Sequence, residues 1–539
     1  MIYSHLMWRS VRLSACVVLA LVSIAPAARD RSARCSAGKL AVAGADTQCR
    51  LAEQVRALRK HRDPSFSRCD ARLTAKYARI ERVLGASCPQ LGEVGAVRAA
   101  AQRYVDGVAA TAQGALHCSE DPSRLELGTP PTHAVPAAAQ PGGNDGVIQL
   151  AEGIYMAPGF GNTFMVVTPE GNVVIDTSLS LFAPKHVASL RAIDGGPVRY
   201  IILTHGHADH TGGVGMWRQD GTQVIAQREQ TELLHYQSRL GGVLTHRSYE
   251  QFSVLLGLPH LPFSAPDAPV DDYGGQLFAT TTFDSFCEFR LGGLTFQLVH
   301  TPGETYDHLS VWIPEYRIAF SGDNIYGSFP NMYTLRGTKP RWALDYVESL
   351  DRVQSWNPGI LAPSHENPIY GADTIHARIQ RYRDAILYVH DETVRGMNAG
   401  VDVYTLMNTI KLPPELEVGE GYGDVAWTVR GIYEGYLGWF DENPATMYAV
   451  APEATHRELV TLLGGPEPIL ARAGALVSAG KHAEALRLTD VVLASDPENR
   501  SALETRLAAV DALLAASTNI NERGWLNGAD RTLRMQLGR

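Results

Sequence analysis

The sequence predicts an α/β fold: one long domain of alternating short strands and helices, followed by an all-helical region and preceded by a small helical, cysteine-containing segment. Three observations carry this reading. Short apolar runs bounded by turn residues begin at Val147, and apolar residues recur at helical spacing beyond about Gly371. Five of the seven cysteines (Cys35, Cys49, Cys69, Cys88 and Cys118) fall in one early stretch. At 539 residues, with 45% hydrophobic and 19% charged residues, the composition is that of a globular protein of more than one domain. A net charge of -9 and the lack of any long basic run exclude a nucleic-acid binder.

In chain order, Arg9 and Arg12 precede the apolar stretch from Leu13 to Ile24, and Ala25-Pro26-Ala27 offers a small-residue cleavage site. Residues 1–27 therefore read as a secretory signal peptide, too short in its apolar part to span a bilayer. A periplasmic or secreted protein without a transmembrane anchor is expected. Residues 35–118 read as a small helical domain, with Leu73, Tyr77, Ile80 and Leu84, then Val97, Ala101, Tyr104 and Val108, at helical spacing. Disulfides would compensate for its modest core; the pairing stays open, and Cys287 stands apart from the cluster. Residues 119–146, rich in Pro, Ala and Gly, read as a linker.

The main domain is placed at 147–372. Phe164–Val167 and Val173–Ile175 are strands flanking the turn Pro169-Glu170-Gly171, and the second ends in Asp176-Thr177. A helix through Pro184–Ile193 leads to the strand Tyr200–Leu203, and further strands fall at Leu294–Val299, Leu309–Ile313 and Ile318–Phe320. Between 215 and 290 strands are sparse, and a helical insertion near the site is expected. Residues 373–530 read as helical, with Ile379, Tyr382, Ile386 and Val389 on one face. Around 470–517 two helices resemble a single tetratricopeptide-like hairpin, which should pack on its own domain or on a second subunit.

The chemistry concentrates after the strand at 200–203, in Thr204-His205-Gly206-His207-Ala208-Asp209-His210. Four potential metal ligands within six loop residues, separated by small neighbours, are a metal-ligand pattern rather than a capping or core pattern. Three more candidates each sit in a turn after an apolar run: Glu304 in Pro302-Gly303-Glu304-Thr305, Asp323 in Ser321-Gly322-Asp323, and His365 in Pro363-Ser364-His365. Strand-end turns are where side chains can meet at one sheet edge.

This order of residues resembles the metallo-β-lactamase superfamily, and further stretches resemble its alkyl sulfatase family. They are Phe329–Gly337, Tyr388–Thr393, Leu412–Leu416 and Gly435–Pro444, together with Ser364-His365. The resemblance covers roughly 147–530 and implies an αββα sandwich followed by a helical dimerisation domain, hence a homodimer. It implies two metal ions. His205, His207 and Glu304 would hold one, Asp209, His210 and His365 the other, with Asp323 between them and Asp176 nearby. Imidazole with carboxylate suits two Zn²⁺, while carboxylate-rich sites also admit Mn or Fe. The implied activity is hydrolysis of a small anionic ester, an alkyl sulfate, with Asp209, Asp323 and Arg336 carrying catalysis. Arg336 is the best candidate to grip the sulfate oxygens, since a planar guanidinium binds an oxyanion through two parallel bonds. Asn331, Tyr333, Tyr249 and Arg341 are further candidates for substrate contact.

The chain departs from the family pattern where Pro302-Gly303-Glu304-Thr305 replaces Pro-Gly-Thr-Glu, and where Asp323 replaces a bridging Glu. It also carries an extra cysteine-containing segment and no counterpart of a sterol-carrier-like C-terminal domain, which argues against a long alkyl chain as substrate. Two other readings remain open at this level. One is a hydrolase of a lactam, lactone or thioester on the same fold. The other is a non-catalytic scaffold.

Overall fold

The computed structural model describes residues 49–50, 66–84, 116–120, 132–141, 146–258 and 279–539. The expected signal peptide, and most of the cysteine-containing segment and linker, lie outside the described residues. The chain divides into two compact units. In the first, residues 1–117 with 219–223, the helix Ser67–Leu84 buries Cys69 and Leu73. Cys69 is disulfide-bonded to Cys49, and Asp70 pairs with Arg50.

The second unit contains two sheets. One has eight strands taken in sequence order, from Gln140–Pro141 to Thr281–Phe283. It runs antiparallel through Thr163–Thr168 and Gly171–Ile175, then turns parallel where Gly171–Ile175 meets Val198–Ile202. The other sheet carries Phe286–Leu291, Leu294–His300, Leu309–Ile313 and Ile318–Gly322 in antiparallel succession. Ile360–Pro363 then joins parallel to Ile318–Gly322.

Strand periodicity assigns the faces. Alternate residues Met165, Val174 and Ile201 pack against Leu190, Val214 and Trp217 of the covering helices. Their neighbours face the opposite sheet, where Phe164 meets Phe320 edge-on at 5.0 Å and Tyr200 lies 4.1 Å from Phe289. On the far side, Trp312, Ala319 and Leu361 pack under the helices Ala343–Ser355 and Ala372–Asn398. Helix, sheet, sheet, helix is the expected layering. It leaves nearly every strand residue buried, so these strands read as continuous apolar runs.

Two sequence expectations need correcting. Cys287 is not alone: it is disulfide-bonded to Cys118. Residues 117–119 are a short strand rather than the end of a helical segment. Helical periodicity could not foresee this, because the tether runs between residues 169 positions apart.

Beyond residue 400 the chain is helical, and the helices Glu467–Ser478, His482–Leu493, Arg500–Ala516 and Ile520–Gln536 pack successively on one another. The last of them also packs on Gly241–Phe252, a helix of the 215–290 region. Asn519 fixes this arrangement. Its Oδ1 caps Ile520–Gln536 by accepting from the N–H groups of Asn521 and Glu522, and its Nδ2 donates to the carbonyls of Glu420, Tyr422 and Gly423. Within the chain, the hairpin of Glu467–Ser478 and His482–Leu493 packs on the helix Arg500–Ala516 that follows it. Among the described residues no helix is long and apolar enough to cross a membrane.

Candidate metal centre

Each candidate ligand leaves a strand end at the same edge of the sandwich. The histidine loop follows Val198–Ile202 and is tied down by backbone bonds. Thr177 N–H donates to the His210 carbonyl at 2.8 Å, and Leu309 N–H to the Thr204 carbonyl at 2.7 Å. Asp323 follows Ile318–Gly322, and His365 follows Ile360–Pro363, whose Ser364 N–H donates to the Gly322 carbonyl at 3.0 Å. Gly322 has φ +54°, and a Cβ there would lie 2.3 Å from His308 Nε2, so a side chain is barred twice over. His308 itself accepts from the Asp323 N–H at 3.1 Å and contacts Thr301 Oγ1 through Nδ1, fixing the turn that presents Asp323.

The ligand atoms converge in two overlapping groups, Asp209-His210-Asp323-His365 and His205-His207-Asp323, each within 4.8 Å. Asp323 Oδ2 lies 3.3 Å from His210 Nε2, 3.1 Å from His365 Nε2 and 3.7 Å from His205 Nε2. Asp209 Oδ2 is 3.3 Å from His365 Nε2 and 3.6 Å from His210 Nε2. A tetrahedral ion with bonds of about 2.0–2.1 Å holds its ligand atoms about 3.4 Å apart, so this spacing suits a shared cation. The buried atoms His210 Nε2 and Asp323 Oδ1 have no hydrogen-bond partner in the protein. Unsatisfied donors and acceptors aimed at one point fit the metal group that the residue pattern implies. Glu304 stands further off, its Oε1 3.9 Å from His207 Nδ1, while Oε2 pairs with Arg341 Nη1 at 2.5 Å.

Asp176 supports the centre from behind. It is fully buried, holds φ 54°, and accepts from Thr204 N–H, Thr204 Oγ1, Ser364 Oγ and His210 Nδ1 at 2.8–3.0 Å. The His210 contact puts the ring proton on Nδ1 and leaves Nε2 free to ligate. Burial, with neighbouring positive groups, holds His205 and His207 well below the usual histidine range, so both rings are neutral as ligation requires. Burial also works against ionised Asp209 and Asp323, but the protonated rings of His210 and His365 outweigh it and hold both carboxyls well below their ordinary range. These carboxylates raise the two rings in turn, His365 to about 10, and a metal ion would take the place of those ring protons. Glu304 is pushed up to about 7 by burial, against the pull of Arg341.

A cavity of about 820 Å³ opens from these residues, its wall carrying Phe160, Leu244, Phe252, Leu256 and Ile520. Arg336 lines it, stacked over the Phe252 ring at 5.5 Å, and so do Tyr249 and Arg341. Tyr249 offers a buried hydroxyl without a partner. Two proposed contacts fall elsewhere. Tyr333 is outside the cavity lining and donates from its hydroxyl to Glu434 at 2.5 Å, docking the helix Val425–Leu437. Asn331 is buried behind the wall, where its carbonyl accepts from Arg341 at 2.7 Å. Sequence reasoning missed Tyr422 and Ile520, which reach the cavity from the helical region more than 50 residues past His365 and carry no local signal.

Residues 156–365 match the Metallo-beta-lactamase superfamily, and residues 403–536 match Alkyl sulfatase dimerisation. The chain is 32% identical over 378 residues to a linear primary-alkylsulfatase of Pseudomonas sp., covering 67% of this chain and 72% of that one. The chain belongs to the alkyl sulfatase family. Another relative of this family member, alkyl/aryl-sulfatase BDS1 of Saccharomyces cerevisiae, is 27% identical over 74% of this chain and 66% of its own length. The solved structure of the stereoselective inverting sec-alkylsulfatase Pisa1 from Pseudomonas sp. superposes with TM-score 0.63 at 21% identity, over 73% of this chain and 66% of that one. At that identity the likeness shows the fold. The chain spans about two thirds of the length of both these relatives.

Proposed function

We propose that this alkyl sulfatase-family chain is an exported homodimeric hydrolase that cleaves alkyl sulfate esters, with the aid of two zinc ions, into sulfate and alcohol. One observation carries the reading: six candidate ligands from three strand ends converge, with Glu304 3.9 Å from His207, beside an apolar cavity that His207, Asp209, Asp323, His365 and Arg336 line. His205, His207 and Glu304 would hold one ion, Asp209, His210 and His365 the other, with Asp323 shared. When bound, such a pair supplies Lewis acidity and lowers the pKa of water toward neutrality.

The chain's own residues do the rest. Arg336 sets its guanidinium against the sulfate oxygens, where charge must be stabilised. The apolar wall takes the alkyl chain and excludes water from it. Asp176 keeps His210 in the ligating tautomer. Export is supported by two disulfides, Cys49–Cys69 and Cys118–Cys287, which persist in oxidising compartments. Dimerisation is supported by exposed apolar residues within 403–536, among them Tyr436, Trp439, Tyr448 and Leu462, the last 79% exposed.

The test is sulfate release from decyl sulfate by zinc-replete protein. Chelator should abolish it, and Arg336→Ala should lower kcat/KM about 10²–10³-fold, the size of losing one oxyanion donor. Turnover of nitrocefin or a thioester, with no sulfate ester cleaved, would overturn the substrate assignment.

A further inference from the structure

The seven side chains do not form two equal sets. Asp209, His210, Asp323 and His365 bring four ligand atoms within 4.8 Å. At the other position, among the described residues, His205, His207 and Asp323 do so. Its fourth side chain, Glu304, is engaged with Arg341, and both side chains are only 2% exposed. Each is anchored separately: the Glu304 N–H donates to Asn324 Oδ1 at 3.0 Å, and Arg341 Nη1 donates to the Asn331 carbonyl at 2.7 Å. Parting a buried charge pair of this kind leaves both charges uncompensated.

Charge count points the same way. His205 and His207 are neutral donors, so Glu304 is the one negative ligand that this position does not share, and the Arg341 guanidinium offsets it. The opposite position has Asp209 as well as the shared Asp323. Cation affinity rises with the number of anionic ligands and falls beside a like charge.

Resting on the two-metal reading above, we infer that Arg341 is a positioning residue that holds Glu304 partly away from the His205/His207 position. The two positions therefore fill in sequence, Asp209/His210/His365 first.

The experiment is a Zn²⁺ titration of the metal-stripped full chain against a chromophoric chelator, with no activity readout. Two steps are expected, with dissociation constants at least about tenfold apart. His365→Ala should remove the tighter step and His207→Ala the weaker. Arg341→Met should tighten the weaker step at least about tenfold, because it removes a like charge beside the cation and frees Glu304 to reach it. It should leave the tighter step within threefold, whereas a merely structural role would weaken both. Circular dichroism checks the fold of the variant. If Arg341→Met does not fold, Arg341→Gln, which removes the charge and keeps a hydrogen-bond donor, decides, with the weaker step alone shifting upward in affinity. Two ions bound in one indistinguishable step, or the His207 position filling first, would overturn the inference and leave the two-metal reading standing. Fewer than one zinc bound per chain would overturn that reading itself.

Discussion

Replacing Asp176 by asparagine changes almost no volume and should nevertheless cripple one metal position. Oδ1 of Asp176 accepts from the Thr204 N–H at 2.8 Å, while Oδ2 accepts from Thr204 Oγ1, Ser364 Oγ and His210 Nδ1. An amide has only one oxygen to offer. If it faces His210, the amide NH₂ meets the Thr204 N–H, leaving a buried donor unpaired at about 1–3 kcal/mol. If it faces Thr204, the NH₂ points at His210 Nδ1, which must then accept. The ring proton moves to Nε2, the nitrogen that should ligate. Both arrangements also forfeit the charge that strengthens each bond. We expect the Asp176→Asn variant to bind zinc about 10–100-fold more weakly at the His210 position. Its chelator-treated form should be less stable by about 3 kcal/mol, from the orphaned donor and the weakened bonds. Chelator competition reads the first quantity and urea unfolding the second. A variant that binds zinc within threefold of the wild type and unfolds at the same midpoint would refute the reasoning.

Other expectations follow from the same structure. A Cβ at Gly524 would lie 2.0 Å from the Gln251 carbonyl oxygen, so Gly524→Val should push the last helix off Gly241–Phe252. Overpacking of this kind costs about 1–3 kcal/mol. Because Tyr249, Phe252 and Ile520 line the cavity, KM for decyl sulfate should rise about tenfold with kcat changed less; an unchanged KM would detach this contact from substrate binding. His186, 3% exposed with Nδ1 beside Thr163 Oγ1, is lowered to about 4 by burial. The unfolded chain binds this proton between pH 6.5 and 4 and the folded chain does not, so the stability is present above 6.5 and lost as pH falls to 4. The loss amounts to about 3 kcal/mol. Urea midpoints of wild type minus His186→Gln, in which the common carboxylates cancel, should show it; a difference independent of pH would contradict it. Tyr333→Phe should cost about 1 kcal/mol through the lost bond to Glu434 and leave KM within twofold, whereas a tenfold rise would return Tyr333 to the cavity.

Much of the centre was legible because its chemistry is local. His205, His207, Asp209 and His210 occupy one loop, and Glu304, Asp323 and His365 each follow an apolar run, so strand-end logic predicts a shared edge. The layers were legible for a related reason: strands buried on both faces leave continuous apolar runs. What escaped depends on contacts between distant segments. Arg341 reads as a candidate substrate contact until Glu304 is seen beside it, and Tyr333 reads as a pocket residue until Glu434 claims its hydroxyl. Cys287 reads as solitary until the chain brings Cys118 to it. Ile520 reaches the cavity only because Gly524 lets two helix backbones touch.

The most direct test of the central claim is the rate of sulfate release from decyl sulfate, followed as zinc is returned stepwise to stripped protein and counted per chain. No turnover is expected in the stripped protein, and the rate should climb to its maximum at two zinc ions per chain. Full turnover by metal-free protein, or none with both positions filled, would contradict that claim.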